Sequence, residues 1–168
     1  MPDAFLEVRN LCVTYKTDLE TVSAVNGISF RLEAGETLGI VGETGAGKTT
    51  TALAILRLLP ERVIVINNSN VLFKGEDLLT LREHRMMEKR GGEISMIFQD
   101  PMTSLNPVHT VGAQIAESLQ LHNTQNRTRK QLHARVDEVL EMVGIPPSRK
   151  GDYPHQFSGG MKQRVVIA

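Results

Sequence analysis

The sequence lacks the features that mark secreted and membrane-spanning chains. Cysteine occurs once, at Cys12, so the chain cannot form an internal disulfide, which fits a reducing, cytosolic setting. The amino-terminal segment has neither a basic start nor an apolar stretch. No apolar run approaches the roughly 20 residues that a membrane-spanning helix needs. We therefore expect neither a secretory signal nor a membrane span.

The sequence also lacks an excess of charge of either sign. The 19 lysines and arginines equal the 19 aspartates and glutamates in number, so no overall field draws the chain to nucleic acid or to an anionic membrane. A local basic stretch exists at Arg127, Arg129, Lys130 and Arg135, but it lies opposite an apolar stripe and is typical of a solvated helix face. With 40% hydrophobic residues, the chain is expected to be globular rather than disordered.

The first half of the chain alternates strand-like patterns with turns. Residues 6–15 and 25–32 alternate apolar and polar side chains, which predicts half-buried antiparallel strands. Residues 37–41 form a short, mainly apolar run that is followed by Gly42, which predicts a strand buried on both faces. An Ala- and Leu-rich segment at 49–59, ended by Pro60, predicts the helix that follows it.

The second half is mainly helical in pattern. Residues 82–90 predict an exposed charged helix, and 94–98 predict another buried strand. Apolar residues spaced by three and four positions predict amphipathic helices at 111–119 and 132–143. Ser158 is a suitable N-cap for a further helix. The order of elements therefore changes from mixed strands and helices to helices after Phe98.

Residues 42–49 read Gly-Glu-Thr-Gly-Ala-Gly-Lys-Thr and fit the phosphate-loop pattern between a predicted strand and a predicted helix. Glycines let successive N–H groups face one concavity, and the start of the following helix adds a positive dipole end. Lys48 would supply a charge to the outer phosphates, and Thr49 a hydroxyl to Mg²⁺. An ordinary glycine-rich turn is the alternative, but the flanking elements favour polyphosphate binding.

A second motif decides among the many classes of phosphate-loop protein. Residues 156–164 contain Ser158-Gly159-Gly160 at a predicted helix start, another arrangement that favours anions. Alone, Ser-Gly-Gly is a common helix-capping loop. Here it follows a phosphate loop and Gln99 at a strand end. The segment resembles the signature sequence of the ATP-binding cassette (ABC) ATPases, and the order of these features is similar to that of the ABC nucleotide-binding subunit. The resemblance covers nearly the whole chain.

The resemblance implies an α/β fold of the P-loop NTPase class, with a RecA-like core, an antiparallel β subdomain and an ABC-type α-helical subdomain. Residues 1–98 would form the nucleotide-binding core, and residues 99–168 would hold the Q-loop and the helical subdomain that ends in the signature helix. The sequence stops before the family's Walker B strand, so the C-terminal part of the fold is expected to be missing. A polypeptide of this extent is expected to hydrolyse ATP only at background rates.

Family resemblance also assigns roles to residues. Tyr15 would stack on adenine, although a strand tyrosine at the core edge is the alternative. Gln99 would touch Mg²⁺ and the attacking water, with a plain loop amide as the alternative. The implied catalytic residues are Lys48, Gln99 and Ser158, and the implied Mg²⁺ ligands are Thr49 and Gln99. The full implied nucleotide-binding set is Tyr15, Gly42, Glu43, Thr44, Gly45, Ala46, Gly47, Lys48, Thr49, Thr50, Gln99, Ser158, Gly159 and Gly160.

The sequences of residues 99–107 and 153–161 are similar to those of bacterial dipeptide and oligopeptide importers, and nickel and glutathione importers share them. Met161 stands where the family usually has glutamine. The resemblance therefore implies the ATP-hydrolysing subunit of a peptide importer that uses ATP and Mg²⁺. It would pair head to tail with a second ATP-binding subunit, identical or not, so that each Ser-Gly-Gly contacts the γ-phosphate held by the other subunit.

The expected partners are transmembrane permease subunits and, indirectly, a solute-binding protein, but no nucleic acid. The expected location is peripheral, on the cytoplasmic side of the inner membrane. Two alternatives stay open: a soluble ABC ATPase of DNA repair or translation, and a short chain that binds nucleotide without hydrolysing it. The five histidines show no metal-ligand spacing, so a histidine metal site is not expected.

Overall fold

The computed structural model describes residues 4–16, 20–60, 63–65, 68–98, 100, 104–123 and 125–168, with residues 63–65 described by their backbone alone. The chain divides into two compact units, Met1–Ile94 and Ser95–Ala168. Each unit has its own cluster of buried apolar side chains.

The first unit is built on an antiparallel sheet. Its strands are β1 (Leu6–Lys16), β2 (Thr21–Leu32), β3 (Val63–Val65), β4 (Asn70–Phe73) and β5 (Glu76–Asp77). Strand β1 is central: it pairs antiparallel with β2, β3 and β4, and β4 pairs in turn with β5. The antiparallel strands predicted at 6–15 and 25–32 are confirmed.

The described residues of the first unit also form the helices α1 (Lys48–Ile55) and α2 (Glu83–Lys89). Ala54 of α1 and Met86 of α2 are buried in the same cluster as Val8, Leu11 and Val13 of β1. The charged helix predicted at 82–90 is therefore confirmed, with one apolar anchor. Helix α1 ends four residues before the predicted Leu59, because the chain leaves helical geometry at Arg57, whose φ is 51°.

Segments 37–41 and 94–98 were predicted as buried strands, and this prediction is wrong. Neither contains a described strand; Ile94 makes one isolated bridge with Arg90, and Val41 is 93% exposed. An apolar run becomes a buried parallel strand only where neighbouring strands take up its N–H and C=O groups. Within the described residues, neither segment is part of such a hydrogen-bonded ladder.

The second unit is helical. It contains α3 (Val111–Leu121), α4 (Arg129–Met142) and α5 (Gly159–Ile167), with short 3-10 turns at Pro147–Gly151 and Pro154–Gln156. Its core is formed by Val111, Ile115, Val136, Val139, Leu140, Ile145, Phe157 and Val165. The stripes predicted on α3 and α4 thus face this core, and both helices are confirmed. Across the described parts of the chain, no helix combines the length and apolar character needed to cross a membrane.

Hydroxyl side chains cap the N-terminal ends of α3, α4 and α5. Thr110 accepts a hydrogen bond from the N–H of Ala113, and Thr128 forms a reciprocal capping box with Gln131. Ser158 accepts from the N–H of Met161 and begins α5, as the sequence predicts. Each cap satisfies a backbone donor that the first turn of a helix leaves unpaired.

Candidate functional site

The phosphate loop, residues 42–49, leads directly into α1. Gly45 and Gly47 both have left-handed backbones, with φ of 86° and 80°. At Gly47 a β-carbon would lie 2.4 Å from the carbonyl oxygen of Ala24 in β2, whereas at Gly45 it would meet no atom of the described residues within 4 Å. A side chain at position 47 therefore requires the loop or β2 to move, because the loop is pressed against the backbone of β2 there.

Lys48 bridges the phosphate loop. Its Nζ donates hydrogen bonds of 2.7 Å to the carbonyl oxygens of Gly42 and Glu43. The ammonium group is therefore held across the loop instead of extending into solvent. No acidic side chain lies in the first turn of α1, so the positive end of the helix dipole and the lysine charge act together. The arrangement favours a polyphosphate over a cation.

Three threonines follow Lys48 and take different roles. Thr49 is exposed, which leaves its side chain open to solvent at the start of α1. The Thr50 hydroxyl lies 3.3 Å from the hydroxyl of Tyr15 in β1. Thr51 is only 2% exposed, and its Oγ1 donates a 2.9 Å hydrogen bond to the carbonyl oxygen of Gly47. Thr51, which the sequence analysis did not single out, therefore anchors the loop to the first turn of the helix.

The far end of α1 is closed by arginine. Arg90 donates to the carbonyl oxygens of Leu56 at 2.7 Å and Arg57 at 2.8 Å, and it pairs with Glu83 at 2.6 Å. Arg57 also pairs with Glu83, at 3.3 Å. A cation at this position satisfies carbonyl groups that the last turn leaves free and complements the negative end of the helix dipole.

The signature tip, defined as Ser158, Gly159 and Gly160, lies at the start of α5. Ser158 has an extended backbone, and its Oγ accepts a 3.4 Å hydrogen bond from the N–H of Met161. All three residues are exposed, and a β-carbon on either glycine would meet no atom of the described residues within 4 Å. The tip thus presents backbone N–H groups and a hydroxyl to solvent at a positive helix end, which suits an anion.

Arg149, in the 3-10 turn before the signature tip, is surrounded by residues that flank the tip. It forms a 2.8 Å ion pair with Asp152 and donates to the carbonyl oxygen of Gln156 at 2.9 Å. It also contacts the ring of Phe157 and the sulfur of Met161. Nothing in the sequence spacing of Arg149 distinguishes it from an ordinary surface cation, so it was not among the predicted site residues.

The predicted site residues that the structure describes belong to two different units. Tyr15 and the loop residues through Thr50 belong to the first unit, and the signature tip belongs to the second. Gln99, predicted as a catalytic and Mg²⁺-contacting residue, lies outside the described residues. The roles predicted for the individual residues stay predictions.

The described side chains supply little coordination for a metal by themselves. Among them, no group of three or more histidine, cysteine, aspartate or glutamate side chains could hold an ion. The exposed hydroxyl of Thr49 is a hard oxygen donor of the kind Mg²⁺ accepts. Such a donor set fits a cation that arrives with its phosphates and keeps several waters.

Comparison with known proteins agrees with this geometry. A family model described as "ABC transporter" matches residues 25–168. The chain therefore belongs to the ABC transporter family.

Individual relatives can be named at the sequence level. A probable peptide ABC transporter ATP-binding protein of Sinorhizobium fredii, y4tR, is 49% identical over 99% of this chain and 50% of its own length. The oligopeptide transport ATP-binding protein OppD of Bacillus subtilis is 48% identical over 97% and 46%, respectively, and OppD of Escherichia coli is 47% identical over 99% and 49%. The chain thus spans about half the length of these relatives.

Solved structures extend the likeness to the fold. The ATP-binding cassette MJ0796, in a dimeric post-hydrolysis state with ADP and phosphate, matches with a TM-score of 0.80 at 23% identity, over 96% of this chain and 67% of that one. CbiO1 of Clostridium perfringens, part of a cbiONQ transporter complex, matches with a TM-score of 0.73 at 26% identity, over 98% and 60%. The expected P-loop cassette fold, with antiparallel sheet and helical parts, is confirmed.

Proposed function

We propose that this chain carries the ATP-binding part of the ATP-hydrolysing subunit of an ABC importer. The observation that carries the proposal is the phosphate loop, where Lys48 spans the loop and Gly47 packs on β2 at the start of a helix without acidic residues in its first turn. Backbone amides and a mobile cation at a helix start are the parts that hold nucleotide phosphates in phosphate-loop ATPases.

Peptides are the proposed solute. The support comes from the relatives, since proteins named as peptide, oligopeptide and dipeptide transport ATP-binding subunits are 47–49% identical to almost the whole chain. Identity at this level over 97–99% of the chain favours a shared role in transport. The proposed partners are a second ATP-binding subunit and membrane-embedded permease subunits, with a solute-binding protein acting indirectly. The proposed location is the cytoplasmic face of the inner membrane.

The two exposed anion-binding features are proposed to act on the same nucleotide from different subunits. Lys48 and the loop amides would hold the phosphates of ATP bound to their own subunit, with Thr49 and Gln99 facing Mg²⁺. When bound, Mg²⁺ neutralises charge on the phosphates. The signature tip would donate N–H and O–H groups to the γ-phosphate held by the partner subunit. Residues 1–168 alone are proposed to turn over ATP only at background rates.

Substitutions of Lys48 and Ser158 in the full-length protein, together with its permease in lipid vesicles, test this division of labour. Lys48→Ala should weaken binding of a fluorescent ATP analogue to the isolated subunit by at least about tenfold and abolish peptide transport, because it removes a charge-assisted contact to phosphate. Ser158→Ala should leave analogue binding within about twofold but impair ATP hydrolysis, because its ligand belongs to the opposite subunit. Lys130→Ala and Ser118→Ala, at exposed positions of α4 and α3, serve as matched controls.

Three results would contradict the proposal. Equal loss of nucleotide affinity in isolated subunits carrying Lys48→Ala or Ser158→Ala would refute the division of labour. Peptide uptake by the Lys48→Ala protein would refute the role of the loop. Turnover that is stimulated by DNA or ribosomes, and not by the permease, would favour a soluble ABC ATPase instead.

A further inference from the structure

A single guanidinium group connects the residues on both sides of the signature tip. Arg149 donates from Nε to Asp152 at 2.8 Å, from Nη2 to the carbonyl oxygen of Gln156 at 2.9 Å, and from Nη1 to the sulfur of Met161 at 3.5 Å. Its central carbon lies 4.3 Å from the centroid of the Phe157 ring. Two of these partners immediately precede the tip, and one immediately follows it.

We propose that Arg149 is a positioning residue that sets the conformation of the signature tip for the γ-phosphate of the partner subunit. The inference rests on the proposed function, in which the tip contacts that phosphate. Arg149 acts through Gln156, Phe157 and Met161 and touches no nucleotide itself. Its effect should therefore fall on turnover and not on ATP binding by its own subunit.

The tip needs such support because it packs against very little. Its three residues are exposed, and its two glycines have open space where side chains would lie. Phe157, by contrast, is 5% exposed and belongs to the core of the second unit. Arg149 lies over the Phe157 ring and at the same time binds the Gln156 carbonyl. It thereby ties the exposed main chain to a buried ring.

Arginine can make these contacts together because its guanidinium is planar, with donors on several edges and a face that stacks on rings. Lysine keeps the charge and can still reach Asp152, but its ammonium offers neither the flat face nor donors in a fixed fork. Arg149→Lys should therefore preserve the ion pair with Asp152 while releasing Gln156 and Met161. This separates positioning from the general contribution of a surface ion pair.

Arg135 provides a matched control in the same unit. It forms a 2.8 Å ion pair with Glu138 three residues later, as Arg149 does with Asp152. The Arg135 side chain is 37% exposed and the Arg149 side chain 30%. Within the described part of the chain, Arg135 makes no contact with the signature tip or its flanking residues. Arg135→Lys therefore changes an equivalent ion pair without changing the support of the tip.

The experiment compares wild-type, Arg149→Lys, Arg135→Lys and Ser158→Ala forms of the full-length protein assembled with its permease. We expect Arg149→Lys to lower kcat for ATP hydrolysis by about 10- to 100-fold, since displacements near 1 Å at a reacting group cost up to about 100-fold. KM for ATP and the affinity for a fluorescent ATP analogue should stay within about twofold. Arg135→Lys should match the wild type in all of these quantities.

A spectroscopic measurement follows the tip without depending on activity. In the full-length protein with ¹³C-methyl-labelled methionine, Arg149→Lys should shift and broaden the Met161 methyl signal, because the guanidinium contact at its sulfur is lost. Amide hydrogen exchange in the segment from Phe157 to Met161 should become faster. The thermal midpoint should change by no more than the Arg135→Lys control changes it.

The outcomes distinguish this inference from the proposed function. If Ser158→Ala loses turnover and Arg149→Lys keeps it, the positioning role is wrong and the proposed function stands. If Arg149→Lys loses turnover only in proportion to a lost thermal midpoint or lost ATP affinity, Arg149 is merely structural and the inference is again wrong. If Ser158→Ala hydrolyses ATP as the wild type does, the proposed function fails and the inference fails with it.

Discussion

The packing of Gly47 against β2 predicts that an added methyl group there is far more damaging than at Gly45. Ordinary contact begins at 3.4 Å, whereas a β-carbon at position 47 would lie 2.4 Å from the carbonyl oxygen of Ala24, so the two must separate by about 1 Å. That oxygen belongs to the backbone of β2, and it can withdraw only if the strand or the loop moves.

Comparison with Gly45→Ala isolates the steric part of this effect. Both glycines have left-handed backbones, so both alanine variants pay a similar conformational cost of about 1–2 kcal/mol. Both also restrict the unfolded chain, which returns about 0.4–1 kcal/mol. Only Gly47→Ala adds the overlap, which for a packed site costs about 1–3 kcal/mol. Gly47→Ala should therefore be less stable than Gly45→Ala by about 1–3 kcal/mol.

Urea unfolding of the full-length variants, followed by far-ultraviolet circular dichroism at 25 °C, measures this difference. The slope of the transition should be shared by both variants, so that the difference appears in the midpoint. Saturating nucleotide should narrow the gap little, because the strain lies between the loop and β2 rather than at the phosphates.

A gap below about 0.5 kcal/mol between the two variants would show that the loop yields at no cost. The close approach of Gly47 to Ala24 would then not be a constraint on the site. A Gly45→Ala variant that is the less stable of the two would refute the reasoning outright.

Two further predictions concern stability. Hydrogen bonds from Lys74 and then Lys89 lower the pKa of Glu93 from 4.5 to about 2. Because this pKa is depressed in the folded state, the stabilisation is present above pH 4.5 and is lost as the pH falls toward 2. Since Glu93 is 37% exposed, Glu93→Gln should cost no more than about 1 kcal/mol of stability at pH 7. The variant should also show a weaker loss of stability with acid, which urea titrations from pH 7 to pH 3 would measure. An acid dependence equal to that of the wild type would contradict this prediction. Thr128→Ala, which breaks the capping box with Gln131, should cost about 0.5–2 kcal/mol, and a cost equal to that of Ser118→Ala would argue against it.

Local chemistry explains which parts were predictable. The phosphate-loop pattern predicts a sharp glycine turn at a helix start, and the turn is present, because glycine spacing and helix start signals depend on neighbouring residues only. The same holds for α3 and α4, whose apolar stripes both face the core of their unit. The capping box at Thr128, which was not among the predictions, also follows a local pattern, a threonine followed three residues later by glutamine.

The strands predicted at 37–41 and 94–98 failed because the pattern reports burial and not pairing. An apolar run of this length is compatible with a parallel strand, but the strand exists only if other segments pair with it on both sides. A sequence window of five residues contains no information on which neighbours are present. Residues 37–41 are all exposed instead, and Val41 is 93% exposed.

The arginine contacts were not predictable for a different reason. In the sequence, Arg149 and Arg90 look like any surface cation. In the structure, each donates to main-chain carbonyl oxygens of another segment of the chain. Such contacts depend on tertiary geometry, which leaves no period in the sequence. Lys48 lies between these two cases. Its motif predicts its location in the loop, but its hydrogen bonds to two loop carbonyl oxygens are visible only in the structure.

The closure of the far end of α1 has a consequence for the energetics of nucleotide capture. A helix of eight residues is too short to be stable by itself, so it depends on contacts with the rest of the fold. Arg90 binds the carbonyl groups after Ile55, and this part of the stabilisation of α1 needs no ligand at the opposite end of the helix. We therefore expect less conformational entropy to be lost when an anion docks, so that more of the contact energy appears as affinity.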